Sequence, residues 1–596
     1  MYLKNISIRN FRGIQNCTFF FKKGLNVIIG ENGSGKSTLI DALRICFSQG
    51  NYKKDIFISL DDFCLYAIPI GSPIEFDLIF ELDKPEDAAI FYEILVQNGI
   101  NQNLELHFRY YLETKATKQY VRSKVWGGDN EGQQVPYELF DLLNFVYLDA
   151  LRDAGAKMRP GRGNLLGTMF DNLTTDGTQK IDKDYKKALS DSVSKGLKIK
   201  EWDVLLKYGE STINEHLKGG AITGKESQIT LDFIPQEFRQ LVDLLQIKVP
   251  FQGSFLKLYQ NGLGDNNLIY AATVLGDLLN QKKGLAEEAY LSLMIEEPEA
   301  HLHPQKQNTF FTYLNNLKDC NIQLFFTSHS PTITAKIDVD SLIVLQKQKN
   351  NIYALSLNKT ALQKKNKEFL TKFLDVTKSH LFFANGVLFV EGISEALLMP
   401  IFALRLGAQF DLEKNGIEIV NLNGVAFEHF ALLYNNEDPL LQLPANAAII
   451  TDGDEQGNLE LSGRAKNALT YKGGSLIVKI AKETFENELF IAGNSILMID
   501  IYNSLKSRVS PLDKTISAIE FVKKIKVEKS DFAYNLLQKL NIGLAAKLKL
   551  IELSDKEAPD ETRLKLQAAA DIFDNFIVPK YIEDAIKWVI QVKSDV

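Results

Sequence analysis

Gly30-Glu31-Asn32-Gly33-Ser34-Gly35-Lys36-Ser37 is a run of small residues that ends in a lysine and a hydroxyl. Such a run lets backbone N–H groups wrap phosphates at a helix N-terminus, while the lysine neutralises the outer phosphates and the serine reaches a magnesium ion. Asn32, Gly33, Gly35, Lys36, Ser37 and Thr38 are therefore the candidate contacts to ATP, with Ser37 also a ligand of its Mg²⁺. This chemistry needs an acid from another strand, and Leu293-Met294-Ile295-Glu296-Glu297-Pro298 supplies two. Glu296 can orient the hydration shell of the ion, and Glu297 can polarise an attacking water. His329, in Thr327-Ser328-His329-Ser330, closes another apolar run and can reach the γ-phosphate side of the same pocket. Alone it would read as a solvated loop histidine. His301 and His303 follow a Glu-Pro-Glu turn with no thiolate or third histidine nearby in sequence, which argues against zinc.

A second set of acids lies in the last third of the chain. Phe389-Val390-Glu391-Gly392-Ile393-Ser394-Glu395 puts one carboxylate at the end of an apolar run and another four residues on. Ile450-Thr451-Asp452-Gly453-Asp454 ends a second run with two acids around a glycine, and Glu486 and Glu488 add a further pair. Each piece alone is ordinary. In this order they crowd carboxylates onto adjacent strand tips, where they repel one another unless cations fill the space. Oxygen donors of this kind suit Mg²⁺ or Mn²⁺, which makes Glu391, Glu395, Asp452, Asp454, Glu486 and Glu488 the candidate metal ligands. Two such ions can activate water and stabilise the leaving oxygen of a phosphodiester. Lys529, beside Lys523, Lys524 and Lys526 in a basic patch, can offset transition-state charge. The candidate catalytic residues are Glu297, His329, Glu391 and Lys529.

The elements that must position these residues are readable in outline. Residues 1–13 alternate over Leu3, Ile6 and Ile8 as a half-buried strand, whereas Leu25–Gly30 is a continuous apolar run, the mark of a strand buried on both faces. The first loop thus lies between a buried strand and a helical pattern. Further strands are expected around 74–80, 104–112, 144–150, 291–295 and 321–331, then 386–392, 417–424, 447–457 and 475–480. Residues 170–250 carry apolar residues every three or four positions and read as largely helical and amphipathic, inserted into the strand–helix order. A hydrophilic passage at 357–369 reads as a boundary, and helical pattern dominates after residue 484. The chain has 596 residues, room for several domains. Its net charge of −7 excludes a basic coat of the histone kind, though not local nucleic-acid patches. Four cysteines, none in a Cys-x-x-Cys pair, make no disulfide framework or zinc knuckle. No apolar stretch is long enough to span a membrane, and the expected compartment is the cytoplasm.

The phosphate loop and the Glu296-Glu297 tip resemble those of SMC- and ABC-like ATPases, in which ATP is sandwiched between two heads. Asn261-Gly262-Leu263-Gly264-Asp265-Asn266-Asn267 is similar to the signature segment that would face a second head, with a helix expected from Leu268, although it lacks the usual Ser-Gly-Gly. The later acids, in the order strand, Glu-Gly-x-x-Glu, strand, Asp-x-Asp, resemble a Toprim domain. Taken together, the chain resembles the OLD (overcoming lysogenization defect) family. Asp41–Arg44, Tyr147–Asp153, Arg159–Gly163 and Asp454–Gly457 add to that likeness. The resemblance implies an α/β fold: an ABC/SMC-like ATPase head with a helical dimerisation insertion, followed by a Rossmann-like Toprim domain. The expected divisions are 1–169 and 251–375 for the head, 170–250 for the insertion and 380–596 for the Toprim region with its C-terminal helices. It also implies an ATP-regulated, metal-dependent endonuclease acting on double-stranded DNA in anti-phage defence, as a homodimer or homotetramer. Some relatives act alone, others accompany retrons, and the nuclease subunit of Gabija systems works with a UvrD-like helicase. The alternative is a RecF/SMC-like repair ATPase whose Toprim domain binds DNA without cutting. A structural SMC would need long heptad arms, for which 170–250 is too short. A RecF-like protein would leave Glu391, Asp452 and Asp454 without a purpose.

Overall fold

The computed structural model describes the chain except residues 50–55, 84–90, 99–100, 117, 150–156, 162–163, 174–180, 221–228, 234–235, 285–288, 301, 317–320, 349–350, 361, 375–377, 425–426, 454–460, 506–510, 554–558 and 592–596. The chain opens on an antiparallel sheet in which Tyr2–Phe11 lies between Ile14–Phe20 and Ile74–Glu81. Asn101–Lys115 continues this sheet, flanked by Leu95–Asn98 and Lys118–Gly127. Leu3, Ile6 and Ile8 are buried, and the three-residue step from Leu3 to Ile6 is explained by a register shift between Leu3 and Asn5.

The second sheet holds the phosphate loop. Its strands are β1 (Leu25–Gly30), β2 (Leu143–Leu148), β3 (Tyr290–Glu296), β4 (Gln323–Ser328), β5 (Leu342–Gln348) and β6 (Asn351–Ser356), in the spatial order β6-β5-β1-β4-β3-β2. All neighbours are parallel except β5 and β6. The carboxyl ends of β1, β3 and β4 therefore lie side by side, the crevice where open α/β sheets bind ligands. Helix α1 (Lys36–Phe47) leaves β1 through the phosphate loop, and α2 (Leu263–Gly284) packs on the opposite face. Alternation fixes the layers: Val27 and Ile29 enter the α2 core, while Ile28 enters the core under α1 and the antiparallel sheet.

The third sheet is β8-β7-β9-β10, built from β7 (Gly386–Val390), β8 (Ile417–Asn421), β9 (Asn446–Thr451) and β10 (Leu476–Ile480), all parallel. Helices α3 (Ile393–Leu406), α4 (Phe485–Leu489), α5 (Lys529–Glu552) and α6 (Lys580–Ile590) contribute to the core on one face. Leu388, Val390, Ala448 and Ile450 point into that core, and Val387, Phe389, Ala447 and Ile449 into the core shared with the head. Between β2 and β3, helices at Lys183–Gly196 and Lys200–Gly220 occur as the periodicity predicts. The 170–250 stretch is not helical throughout: Lys248–Phe251 pairs with Ser254–Lys257 as a hairpin. Among the described residues, no helix is long and apolar enough to cross a membrane.

Candidate functional site

Two sites stand at the carboxyl ends of the two parallel sheets. At the first, Gly33 and Gly35 adopt φ of +78° and +96°, a left-handed conformation that side-chain-bearing residues resist, and Gly35 caps the start of α1. The Lys36 ammonium is buried and folds back to donate to the carbonyl oxygens of Gly30 and Glu31, both at 2.8 Å. Burial lowers its pKa, opposed by the charges of Glu297, Glu299, Glu296 and Glu31. Asn32 and Gly33 are exposed, Ser37 is exposed at the mouth, and Thr38 is half-buried behind it.

Glu296 ends β3 and is held from both sides: Ser37 Oγ donates to one carboxylate oxygen at 2.9 Å and the Tyr147 hydroxyl to the other at 3.1 Å. Burial raises its pKa, and these two donors pull it back down. Glu297 follows at φ +44°, its N–H donating to the Thr327 carbonyl at 3.0 Å, so its side chain leaves the strand in a different direction from that of Glu296. His329 Nδ1 lies 3.6 Å from the Glu297 carboxylate and 3.8 Å from that of Glu299. The structure thus brings Lys36, Ser37, Glu296, Glu297 and His329 together at three adjacent strand ends.

Sequence reasoning missed two members of this site. Glu299 is buried, and one of its oxygens accepts from Ser328 Oγ at 2.7 Å and from the His329 N–H at 3.2 Å, anchoring the tip that carries His329. Its burial raises its pKa. The third acid of Glu296-Glu297-Pro298-Glu299 was visible, but nothing in its spacing says that it turns inward. Tyr147, read as part of a strand and of the family-like stretch Tyr147–Asp153 but given no role of its own, also carries the Arg44 guanidinium over its ring at 3.7 Å. The signature-like segment needs a correction: its helix begins at Leu263, not Leu268. Asn266 explains this, since its side chain donates to the Leu258 carbonyl and accepts from Asn261, closing the preceding turn one residue ahead of the helix. His303 is exposed; His301, Ala150–Asp153, Arg162 and Gly163 lie outside the described residues.

At the second site, Glu391 follows β7 and Asp452 follows β9, neighbouring strands in register. Thr451 Oγ1 and the Asp452 N–H donate to the same Glu391 oxygen, at 2.8 and 3.4 Å. Asp452 accepts from the Phe485 N–H at 2.8 Å, which docks it on the first residue of α4. Glu395 is buried in the first turn of α3 and Glu486 in α4, and both raise the electrostatic cost of a charge on Asp452. Lys529, first residue of α5, pairs with Glu486 at 2.7 Å, while Glu488 accepts from the Lys482 N–H at 3.1 Å. Asp454, with Glu455–Gly457, lies outside the described residues. Gly453 is required by close approach: a Cβ there would sit 2.4 Å from the carbonyl oxygens of both Ala481 and Lys482.

The electrostatics follow from this crowding. Burial, then repulsion from Glu486, Glu395 and Glu391, pushes Asp452 up to about 8, with Lys529 opposing. Glu395 is pushed up to about 7, again by burial first. Lys529 is raised by the acids around it, against its own desolvation. The donors are all hard carboxylate oxygens with one ammonium among them, a set that fits a divalent cation in kind. Among the described residues, no three His, Cys, Asp or Glu side chains gather closely enough to hold a metal ion. Glu486 is engaged by Lys529, and Glu488 is turned to backbone.

A profile described as the AAA ATPase domain matches residues 1–131 and 166–334, half of the chain. The chain belongs to this family. A second profile, the TOPRIM domain of overcoming-lysogenization-defect-like proteins, matches residues 382–454, so an ATPase head is followed by an OLD-like Toprim domain. The chain is similar to endonuclease GajA of Bacillus cereus (strain HuB5-5), 23% identical over 555 residues, with 76% of this chain and 77% of that protein covered. It is also similar to the OLD nuclease of Thermus scotoductus, 22% identical over 435 residues, with 71% and 78% covered. RecF proteins of Francisella tularensis match at 32% over 72 residues, 11% of this chain and 21% of theirs. Among solved structures, the C-terminal region of the Burkholderia pseudomallei OLD protein aligns at 20% identity and TM-score 0.24, over 35% of this chain and 98% of that one.

Proposed function

We propose that this protein is an ATP-regulated, divalent-metal-dependent DNA endonuclease of the OLD and Gabija kind, a cytoplasmic homo-oligomer that cuts double-stranded DNA in defence against phage. The observation that carries the reading is the second site: Glu391 and Asp452 stand at neighbouring strand ends joined through Thr451 and the Asp452 N–H, with Glu395 and Glu486 buried in the two adjoining helices and Lys529 paired to Glu486. Two relatives whose alignments cover 76% and 71% of the chain are nucleases by name. A purely RecF-like repair role is supported only by a short match, and it assigns no work to these acids.

In this reading Glu391, Glu395 and Asp452, with Asp454 and Glu486, would hold the divalent ions, and Glu488 stands beside them. When bound, such ions supply a polarised water and charge stabilisation at the leaving oxygen. The chain's own part is to orient. Thr451 and the Asp452 N–H fix the Glu391 carboxylate, the α4 N-terminus fixes Asp452, and Lys529 offsets the charge that grows on the phosphate. At the head, the loop amides and Lys36 hold the triphosphate of ATP, Ser37 and Glu296 its Mg²⁺, Glu297 orients water, and His329 senses the γ-phosphate side. Cleavage of plasmid and phage DNA with Mg²⁺ or Mn²⁺ is the test. Asp452→Ala should abolish it and leave ATP hydrolysis near wild type, because the two sites use separate residues. Cleavage that survives Asp452→Ala in clean protein sinks the assignment.

A further inference from the structure

The lysines just ahead of Lys529 have no part in the reading above. Lys523 and Lys524 lie in the last turn of the helix Ala518–Ile525, and Lys526 caps its end. All three are exposed, and among the described residues none forms an ion pair. The acids of the same stretch are placed elsewhere. Glu520 is tied to the N-cap at the far end of the helix, where Ser517 Oγ donates to it at 3.1 Å, Glu528 is half-buried at the joint, and Asp531 lies beyond Lys529. The inner face fixes the lysines relative to the Toprim site. Phe521 and Ile525 are buried, and the Phe521 ring packs on Phe490 at 4.9 Å and on Phe532 of α5 at 5.6 Å. Phe490 directly follows α4, which carries Glu486, the partner of Lys529. The joint itself is closed by the Glu528 N–H on the Ile525 carbonyl at 2.8 Å and the Phe532 N–H on the Glu528 carbonyl at 2.9 Å.

Distance limits what this ridge can reach. The step from Lys526 to Lys529 spans at most about 11 Å of chain, and successive phosphates of one duplex strand advance about 3.4 Å along the axis. The lysines therefore stand within a few base pairs of a phosphodiester held at Lys529. Val527, at the crest between them, is 94% exposed. An apolar side chain left in water among lysines suits a surface that is charged and apolar by turns, as a sugar–phosphate backbone is. The Toprim acids repel a polyanion, whereas unpaired lysines beside them draw one in from the flank. We infer that Lys523, Lys524 and Lys526 hold the DNA backbone beside the scissile phosphate, with Val527 against its sugars, so that the duplex meets the Toprim site across the helix Ala518–Ile525. The inference rests on the nuclease reading, and it gives these lysines no part in the chemistry at the cleaved bond.

The test is the salt dependence of binding, because each lysine on a phosphate releases a counterion. A short fluorescent duplex is titrated with the full-length protein in Ca²⁺ and followed by anisotropy across a salt series. Each phosphate contact contributes about 0.9 to the slope of log affinity against log salt, so Lys523→Gln/Lys524→Gln/Lys526→Gln should lower the slope by about 2.7. Between about 50 and 200 mM salt the wild type should therefore lose roughly 40-fold more affinity than this variant. Lys523→Arg/Lys524→Arg/Lys526→Arg keeps the charges and should keep the slope. Val527→Ser should weaken binding and leave the slope alone, since it removes no charge. The DNA concentration for half-maximal cleavage should rise in the glutamine variant, while ATP hydrolysis without DNA stays at the wild-type rate. If the glutamine variant binds with the wild-type slope and cuts limiting DNA like wild type while Asp452→Ala is dead, this inference falls and the nuclease reading stands. A lower unfolding midpoint with an unchanged slope makes the lysines structural, and the inference falls. Polyglutamate bound by wild type and lost in the variant, with duplex binding untouched, assigns the ridge to an acidic protein and also overturns it. Wild-type protein that binds no duplex and cuts none overturns both.

Discussion

Gly453→Ala tests whether the Toprim site depends on the backbone packing seen here. The added Cβ would lie 2.4 Å from two carbonyl oxygens, Ala481 and Lys482, where ordinary contact begins at 3.4 Å. Neither neighbour is a flexible side chain. Both segments are also pinned, since the Ala481 N–H donates to the Thr451 carbonyl and the Gly453 N–H to the Glu483 carbonyl, each at 3.0 Å. Relief therefore requires the turn after β9 to move by about an ångström and break at least one of these bonds. Overpacking of this kind costs about 1–3 kcal/mol. The same shift carries Asp452 away from Glu391 and the α4 N-terminus, and a misplacement of about 1 Å can cost roughly 100-fold in rate. Urea unfolding and DNA cleavage should both register the change while ATP hydrolysis does not. Gly463→Ala is the control, because a Cβ there meets nothing within 4 Å, and its stability should stay within about 0.5 kcal/mol of wild type. Gly453→Ala protein that unfolds at the wild-type midpoint and cuts at the wild-type rate would refute the reasoning.

Lys36→Ala should weaken ATP binding roughly 10- to 100-fold, since it removes a charged donor to phosphate, whereas Glu297→Gln should retain binding and lose turnover by roughly 100-fold or more. Equilibrium binding of a fluorescent ATP analogue and steady-state hydrolysis separate the two, and unchanged hydrolysis in Glu297→Gln would remove that residue from the mechanism. The helix Lys183–Gly196 exposes Tyr185, Leu189 and Val193 at four-residue spacing, and the next helix exposes Val204, Leu205 and Tyr208. An apolar stripe of this kind calls for a partner surface, so native mass at low micromolar protein should be that of a dimer or tetramer, and a monomer with and without ATP would contradict it.

The parts of both sites that were legible in the sequence are those whose chemistry fixes local spacing. A phosphate loop must place small residues, lysine and serine in one short run, so Gly30–Ser37 declares itself. Glu391 and Asp452 were legible because each follows a continuous apolar run, and a parallel strand buried on both faces has its ligand-binding tip at the carboxyl end. Glu299 and Tyr147 were not, because each acts across the fold: Tyr147 meets Glu296 from 149 positions away. Single-chain periodicity carries no information on such pairings. Ile14–Phe20 and the β5–β6 pair went unread for a different reason. They are edge or near-edge strands with polar residues interrupting the apolar run, and the sheet register that buries them is set by partners elsewhere.

Residues 357–369, between the two matched profiles, also pack into the joint between the two units. Six lysines and asparagines within this passage suggested a solvated boundary, yet Leu357 and Leu370 are fully buried and Leu362 nearly so, all in the core that also takes Val387 and Phe389 of the Toprim sheet. Fully burying each leucine is worth about 1.5–3 kcal/mol, which the charged face of the same segment does not oppose because it stays in water. Polar contacts lock the joint further: Asn366 Nδ2 lies 3.0 Å from His429 Nδ1, and the Phe369 ring stacks on His429 at 3.8 Å. Ser379 Oγ donates at 2.9 Å to the carbonyl of Pro331, the residue two beyond His329, and Ile333, Leu381 and Phe382 fill the same core. The tip that carries His329 and the strand that leads to Glu391 are thus built on one packed interior. A close-packed interior transmits displacement and does not absorb it. If the proposed ATP chemistry moves the His329 tip, this shared core is the path by which the displacement would reach the Toprim sheet.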